Sequence, residues 1–195
     1  MPTFSTESSV CLVAGGMLDL IFTGAVAINN KKLCVIGDID NNTQYLKSLY
    51  DFIKETRNVT LEKLASEYCF SFTNKKMTVL LEDVGEALVK EQCATSEKGG
   101  LFGNSTYFIV NPMEVDHVIQ TIRAEILESG TMSEEIIALT SLLEKSGHIK
   151  RFFSKYENKR VKERISEIRK DSSNQLVKEM VDYINTMIAV IAIIK

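Results

Sequence analysis

The sequence predicts a mainly α-helical single domain, with a hydrophobic helix bundle core, surrounding amphipathic helices and two short β-hairpins. Size and composition are the first observation, because 195 residues with 45% hydrophobic content can bury one substantial core. Second, the chain has two prolines and no Ser/Gly-rich or low-complexity tract that would act as a linker. Third, several segments space their apolar residues at helical period. Residues 1–195 are therefore predicted to form one domain.

Turn residues place the first elements. The apolar run Val10–Ile28 contains three glycines and lacks a basic n-region. These features favour a buried helix that ends near Gly24 and runs into a strand, over a signal peptide or a membrane span. Ala25–Ile28 and Leu33–Ile36 flank the turn-forming stretch Asn29–Lys32. This arrangement predicts the first β-hairpin.

The middle of the chain predicts two helices and a second hairpin. Thr60 is an N-cap candidate for a helix that reaches Tyr68, and Met77–Lys90 forms the next helix. Cys93–Ser96 and Thr106–Val110 are predicted strands on either side of a glycine-rich tip, Glu97–Asn104.

Further helices follow the second hairpin. Asn111 before Pro112 is a good helix opening, and Gly130 and Gly147 are plausible stops. Capping-box spacing is present in two pairs, Thr131 with Glu134 and Ser172 with Gln175. Three apolar stripes are predicted to face the core: Val115, Val118, Ile119, Ile122 and Ile126; Ile149, Phe152, Phe153, Tyr156, Val161, Ile165 and Ile168; and Val177, Met180, Val181, Ile184, Ile188 and Ile191.

Charge is segregated along the chain. Residues 145–170 hold ten Lys or Arg and three Glu, a net charge of +7, whereas the whole chain is −3. Such a segment can attract an anionic partner, and Lys155, Lys159, Lys162 and Arg164 are the candidate ligands for lipid phosphate. The alternative is a solvated helix face with no ligand, because the apolar stripe leaves the same charges pointing outward.

Motifs for catalysis and cofactor binding are absent from the sequence. Neither His117 nor His148 belongs to a metal-ligand pattern, and no P-loop, dinucleotide fingerprint or nucleophile motif occurs. The four cysteines are widely spaced without C-x-x-C, which favours reduced thiols in a cytoplasmic protein. We therefore predict no catalytic residues, no metal and no cofactor.

A winged helix is a specific alternative, since two helices and a hairpin follow one another from Thr60 to Val110. The would-be recognition helix carries Glu82, Asp83 and Glu86, which would repel phosphates. Nucleic acid is therefore an unlikely partner.

The order of elements resembles the Golgi phosphoprotein 3 family. The resemblance runs from Val10 to Lys195 and rests on CLVAGGMLDLIFTG at Cys11–Gly24, the two hairpins, the IRAE helix at Ile122–Glu125 and, above all, the basic helix and apolar closing helix of Ser146–Lys195. It implies a mostly helical domain with a protruding hairpin. Eukaryotic members of that family are peripheral membrane adaptors, not catalysts, and bind phosphatidylinositol 4-phosphate through a basic pocket.

This sequence departs from the family's lipid pocket. The family takes a tryptophan and arginines from the chain near the first helix and from the helix before the long hairpin. This chain has no Trp, and neither Val10–Gly16 nor Met77–Leu88 contains Arg. Lys75 and Lys76 are the nearest cations that could replace the arginines, although ammonium groups cannot reproduce the forked guanidinium geometry.

The resemblance and the residues together predict a non-enzymatic peripheral membrane or adaptor module. Anionic lipid headgroups, among them phosphatidylinositol 4-phosphate, are the expected ligands. Leu101 and Phe102 at the hairpin tip are the expected contact for a homo-oligomer or a membrane, because turn residues are normally polar. The alternative is that this apolar tip packs on the core of its own domain. The expected location is cytoplasmic, with peripheral attachment to a membrane. The alternative is a cytosolic regulatory protein whose winged-helix-like part binds nucleic acid.

Overall fold

Helices separated by two antiparallel hairpins make up the part of the chain that the structure describes. In this computed structural model that part is residues 6–100, 105–127 and 132–170, with residues 182, 183, 185, 186 and 189 further on. The elements are α1 (Thr6–Phe22), β1 (Val26–Asn29), β2 (Lys32–Val35), α2 (Lys47–Glu55), α3 (Leu61–Cys69), α4 (Lys75–Lys90), β3 (Ala94–Gly99), β4 (Ser105–Val110), α5 (Pro112–Leu127), α6 (Glu134–Lys145), α7 (Ile149–Phe152) and α8 (Lys155–Lys170). The predicted fold class, mainly helical with two hairpins, is confirmed.

Side-chain caps explain several helix starts. The Thr60 hydroxyl accepts a hydrogen bond from the Lys63 amide at 3.2 Å, as predicted for the start of α3. At α6 the predicted cap is wrong: the helix begins at Glu134, and Ser133 accepts from the Ile136 amide. Glu134 is the first helical residue and therefore cannot occupy the third position of a capping box. Thr131 lies outside the described residues, as do Gly130 and the second predicted box, Ser172 with Gln175.

Left-handed residues set the turns. Gly24 follows α1 with φ +73°, and Gly147 follows α6 with φ +75°, so both predicted stops are confirmed. The first hairpin turns through Asn30 and Lys31, whose φ angles of 50° and 64° give the two-residue turn that suits the twist of antiparallel strands. Asn29 pairs with Lys32 beside that turn.

The second hairpin is longer than predicted. Strand β3 continues from Ala94 to Gly99, where the sequence predicted a strand of four residues ending at Ser96. Glu97 and Lys98 pair with Tyr107 and Thr106, so residues assigned to the tip belong to the ladder. Most of this strand is exposed, and it therefore lacks the alternation of apolar residues that would have revealed it. The remaining tip, including Leu101 and Phe102, lies outside the described residues.

Two clusters of buried side chains form the core, and α6 contributes to both. The first cluster contains residues of the four helices α1, α2, α3 and α4, residues of the first hairpin, and Ala138 and Leu142 of α6. The second joins α5, α7 and α8 to Ile137 of α6. Burial on both sides makes α6 the shared wall that couples the two clusters.

Among the described residues, two members of the predicted stripes do not face the core. The third predicted stripe lies outside the described residues: Val177, Met180, Val181, Ile184, Ile188 and Ile191. Val118 is 41% exposed while Ile119, Ile122 and Ile126 of the same stripe are buried. Each residue turns a helix by about 100°, which puts Val118 at the margin of that face. Tyr156 is 72% exposed. The same rotation places it about 140° to 180° from Val161 and Ile165, on the opposite side of α8.

Candidate functional site

The outward face of α8 carries three of the four predicted lipid ligands on that helix. Lys155, Lys159 and Lys162 are exposed and spaced by four and three residues, so they share one side of the helix. Val161, buried in the second core cluster, fixes another side of the helix against the domain. The arrangement gives a short row of ammonium groups directed to solvent.

Arg164, the fourth predicted ligand, lies away from that row. It is about 160° around the helix from Lys162. Its side chain is 28% exposed, and its guanidinium pairs with Glu167 at 3.5 Å. The structure therefore brings together the three lysines and sets Arg164 on the other flank of α8.

Loose ion pairs border the lysine row. Lys159 lies 3.7 Å from Glu163, and Lys162 lies 3.8 Å from Glu144 on α6. The two lysine side chains are 76% and 57% exposed. Exposed pairs at such distances contribute little to stability, about 0 to 1 kcal/mol, so the lysines can exchange these partners for another anion.

Tyr156 adds an aromatic ring to the lysine face. It precedes Lys159 and Arg160 by three and four residues and is therefore their neighbour on the helix surface. An exposed tyrosine has an apolar body and a polar tip, the combination that suits a membrane–water interface. The apolar spacing of α8 predicted that this ring faces the core, and that prediction is wrong, because the helical angle of about 100° per residue places the ring outside.

Arg123 of α5 fixes the start of α8, a role that the sequence analysis missed. Its Nε donates to Glu157 Oε1 at 2.9 Å, its Nη2 donates to the Phe152 carbonyl, and its guanidinium stacks 5.2 Å from the Phe153 ring centroid. These contacts join α5, α7 and α8 at one point. The N-terminal end of α8, and with it the lysine row, is therefore held in a fixed position on the domain.

Ser154 and Glu157 form a reciprocal capping box at the start of α8. The Ser154 amide donates to Glu157 Oε2 at 2.7 Å, and the Glu157 amide donates to the Ser154 hydroxyl at 3.3 Å. These hydrogen bonds, led by the one from the Ser154 amide, and the neighbouring Arg123 charge lower the pKa of Glu157. The S-x-x-E spacing was visible in the sequence and would have predicted this helix start.

Lys75 and Lys76 occupy the opposite end of α4 from the second hairpin. Lys75 is exposed in the first turn. Lys76 pairs with Glu67 of α3 and lies 4.8 Å from the centroid of the Phe52 ring. Lys76 thus has an internal anion and an aromatic face as partners, whereas Lys75 points to solvent.

A cavity of about 990 Å³ lies between α1, α4, α6 and the loop before α2. Asp19, Asp83, Glu86 and Glu91 line it together with a single lysine, Lys90, among the described residues. The cavity therefore has a net charge of −3 on its described walls. Its remaining lining is largely leucine and other apolar side chains.

Asp19 is a half-buried carboxyl group of the cavity. The Tyr45 hydroxyl donates to its Oδ2 at 2.9 Å. Burial raises the pKa of Asp19, and the hydrogen bond from Tyr45 partly offsets that rise. Burial and the nearby carboxylate also raise the pKa of Tyr45. This pair ties α1 to the 3₁₀ turn Gln44–Leu46 at one end of the cavity.

The second hairpin packs on α4, and one of their contacts is very close. A Cβ atom at Gly85 would lie 2.4 Å from the Phe108 ring, so the glycine is what allows β4 to approach the helix. The base of the hairpin is therefore held against the domain.

A family model for Golgi phosphoprotein 3 (GPP34) matches residues 2–186 of the chain. The chain belongs to the Golgi phosphoprotein 3 family. The match covers the first helix, both hairpins and the basic helix, in agreement with the predicted resemblance. The Golgi phosphoprotein 3 family is Golgi-associated and generally non-enzymatic. No curated protein matches the chain.

Two stretches that the Golgi phosphoprotein 3 resemblance nominated for a lipid pocket do meet in the structure. Residues of α1 between Cys11 and Gly16, and residues of α4 between Asp83 and Leu88, line the same cavity. In this chain those stretches supply carboxylates and apolar side chains, whereas Lys75 and Lys76 do not line the cavity.

Other kinds of site leave few traces in the described residues. The described residues form no helix with the length and apolar character needed to cross a bilayer. Nor do they form a cluster of His, Cys, Asp and Glu that could hold a metal ion. The helix–helix–hairpin order of a winged helix is present in α3, α4 and the second hairpin, but α4 exposes the acidic residues Glu82 and Glu86.

Proposed function

We propose that this protein is a non-enzymatic peripheral membrane adaptor that attaches to anionic lipid surfaces through the outward face of α8. The contact would use Lys155, Lys159 and Lys162, with Tyr156 at the membrane–water interface. Attachment of this kind places the protein on the cytoplasmic side of a membrane. Membership of the Golgi phosphoprotein 3 family supports the proposal.

The observation that carries the proposal is the joint exposure of three lysines and a tyrosine on the part of α8 that turns away from the buried Val161. A lysine near an anionic membrane surface contributes about 1 kcal/mol of attraction. An aromatic ring adds an apolar contribution that salt does not screen. Neither part alone makes a stable anchor, but together they can hold a peripheral protein reversibly.

Two further contacts belong to the same proposal. Lys75 and Lys76 at the start of α4 would add weak phosphate contacts. Leu101 and Phe102 of the hairpin tip would insert into the membrane or join two copies of the chain as a homo-oligomer. Nucleic acid is not the partner we propose, because the exposed residues in the middle of α4 are acidic.

Vesicle flotation with a triple variant tests the proposal. Lys155→Gln, Lys159→Gln and Lys162→Gln should together weaken binding to vesicles that contain anionic lipid by about a hundredfold, from about 1 kcal/mol for each lysine. Melting temperature should change little, because the replaced charges are exposed.

The matched control replaces with Gln three exposed lysines that lie far from α8 in the sequence: Lys31 in the turn of the first hairpin, Lys54 on α2 and Lys63 on α3. It removes the same charge and should lower binding much less. Equal losses in both triple variants would mean that net charge, and not the α8 face, governs attachment. Unchanged binding in the α8 variant would establish that this face is merely solvated.

A further inference from the structure

The cavity beside α4 has the size and the lining of a small-molecule site. Its volume of about 990 Å³ falls at the upper end of the range of about 300 to 1,000 Å³ that is usual for ligand pockets. Leu12 of α1 and Leu139 and Leu143 of α6 supply apolar wall. Gly15 leaves that wall open, because a Cβ atom there would meet only Leu142, at 3.7 Å.

Three of the four carboxylates that line this cavity among the described residues lie on one side of it. Asp83, Glu86 and Glu91 belong to α4 and the residue that follows it, so they line the cavity from one element. None of these three carboxylates forms a hydrogen bond or an ion pair with another residue in the described part of the chain. Lys90 is the one lysine of the described lining.

An acidic edge beside an apolar wall selects for a particular kind of ligand. A lipid phosphate or another anion would meet several unpaired carboxylates and would be repelled. A neutral apolar molecule would gain from burial but not from the charges. A ligand with an apolar body and a cationic head satisfies both parts of the lining.

We propose that this cavity binds a small amphiphilic amine. Its apolar body lies against α1 and α6, and its ammonium group lies beside Asp83, Glu86 and Glu91. This binding is separate from the attachment of α8 to membranes, because it involves other residues and the opposite charge. The two proposals can therefore fail independently.

Calorimetric titration in the absence of membranes tests the inference with three probes of equal chain length. Decylammonium, decanol and decyl sulfate would each be titrated into the whole protein below the concentrations at which they form micelles. Decylammonium should bind about tenfold more tightly than decanol, the factor expected for one charge-assisted hydrogen bond. Decyl sulfate should bind more weakly than decanol.

Charge-neutralising variants locate the ammonium. Asp83→Asn with Glu86→Gln should weaken decylammonium binding about tenfold and leave decanol binding unchanged. The control is Glu62→Gln with Glu82→Gln, which removes two exposed carboxylates of α3 and α4 that do not line the cavity. It should leave the binding of all three probes unchanged. Far-UV circular dichroism would show that both double variants keep their helices.

The Cys11 thiol provides a second measurement, because it lines the cavity whereas the Cys34 thiol does not. Bound decylammonium should slow alkylation of Cys11 at least threefold, as read by peptide mass spectrometry, and leave Cys34 unaffected. Equal affinity for all three probes, equal effects of the two double variants, or an absence of decylammonium binding would each overturn the inference.

Discussion

The outward face of α8 and the cavity beside α4 differ in charge and in origin. Lys155, Lys159 and Lys162 come from one continuous helix, so local periodicity alone aligns them. The cavity takes Asp19 from α1 and three carboxylates from α4 and its end, and α6 forms a further wall. The α8 face is formed by residues of a single helix of 16 residues. The cavity forms only after the two core clusters have packed.

This difference shows what the segregated charge of the sequence does in three dimensions. Residues 145–170 are net +7 in a chain of −3, and the structure places part of the compensating negative charge in a cavity. An anionic membrane would attract the first region and repel the second. The same surface potential that holds α8 would therefore orient the cavity away from the headgroups. Salt weakens this orientation, because exposed charges are screened over about 8 Å at physiological ionic strength.

The largest expected effect concerns the hairpin tip, where the contact would be apolar. Leu101→Ser with Phe102→Ser removes a pair whose full burial contributes roughly 3 to 5 kcal/mol. We expect smaller oligomers in sedimentation velocity or lower attachment to vesicles, at unchanged helical content. The control is Thr95→Ser, on the exposed part of β3, which leaves Leu101 and Phe102 in place. A monomeric double variant with a much lower melting temperature would mean that the tip packs on its own domain.

Arg123→Ala should separate the support of α8 from its charge. The variant loses the pair with Glu157 and the hydrogen bond to the Phe152 carbonyl, which together should lower the free energy of unfolding by about 2 kcal/mol. Urea denaturation measures the loss, and Arg57→Ala, at an exposed position, is the control. A loss below about 0.5 kcal/mol would show that the capping box alone fixes α8.

Acid should reduce the difference between wild type and the Arg123→Ala variant. The folded-state pKa of Glu157 is lowered, so its interactions stabilise the fold above the ordinary glutamate pKa of about 4.3 and are lost as pH falls through the folded value. The difference in free energy of unfolding should thus be constant near neutral pH and shrink below about pH 4. A difference that grows on acidification would contradict this sign.

Local chemistry explains which elements could be predicted from the sequence. Thr60 acts through its own hydroxyl, and Gly24 and the turn at Asn30 and Lys31 act through their own backbone; all three predictions are confirmed. Helix α2 was not predicted because its start has no capping side chain, with Leu46 at the N-cap position. Tyr156 was misassigned because its spacing from neighbouring apolar residues was counted without the helical angle.

Tertiary packing explains what sequence patterns did not reveal. Arg123 and Glu157 are separated by 34 residues, and Asp19 and Tyr45 by 26, so neither pair has a local signature. The cavity requires α1, α4 and α6 to meet, and no spacing within one of these helices indicates that. The resemblance to the Golgi phosphoprotein 3 family indicated that stretches of α1 and α4 form two walls of the cavity. The acidic charge of those walls is a feature of this sequence and was not implied by the resemblance.

Single substitutions on α8 should distinguish its two flanks. Lys159→Gln should weaken attachment to anionic vesicles about fivefold, from roughly 1 kcal/mol for a lysine at the surface. Arg164→Gln removes an equal charge on the other flank, where Glu167 is its neighbour. We expect less than a twofold change in flotation for that variant. An equal loss at Arg164 would mean that the helix lies on the membrane by a different side, and that the lysine row is not the contact.

The smallest expected effect is the preference for one headgroup. The lysines of α8 carry point charges without the forked geometry that reads a phosphate bidentately, and the cavity that joins α1 to α4 is acidic. Vesicles that contain phosphatidylinositol 4-phosphate should therefore bind no more than about twofold better than phosphatidylserine vesicles of equal charge density, a difference of about 0.4 kcal/mol. Raising the salt concentration should release the protein from both. Tight, salt-resistant binding to the 4-phosphate headgroup alone would place a selective pocket elsewhere on the protein, and the Asp83→Asn with Glu86→Gln variant would then show whether the cavity contributes to it.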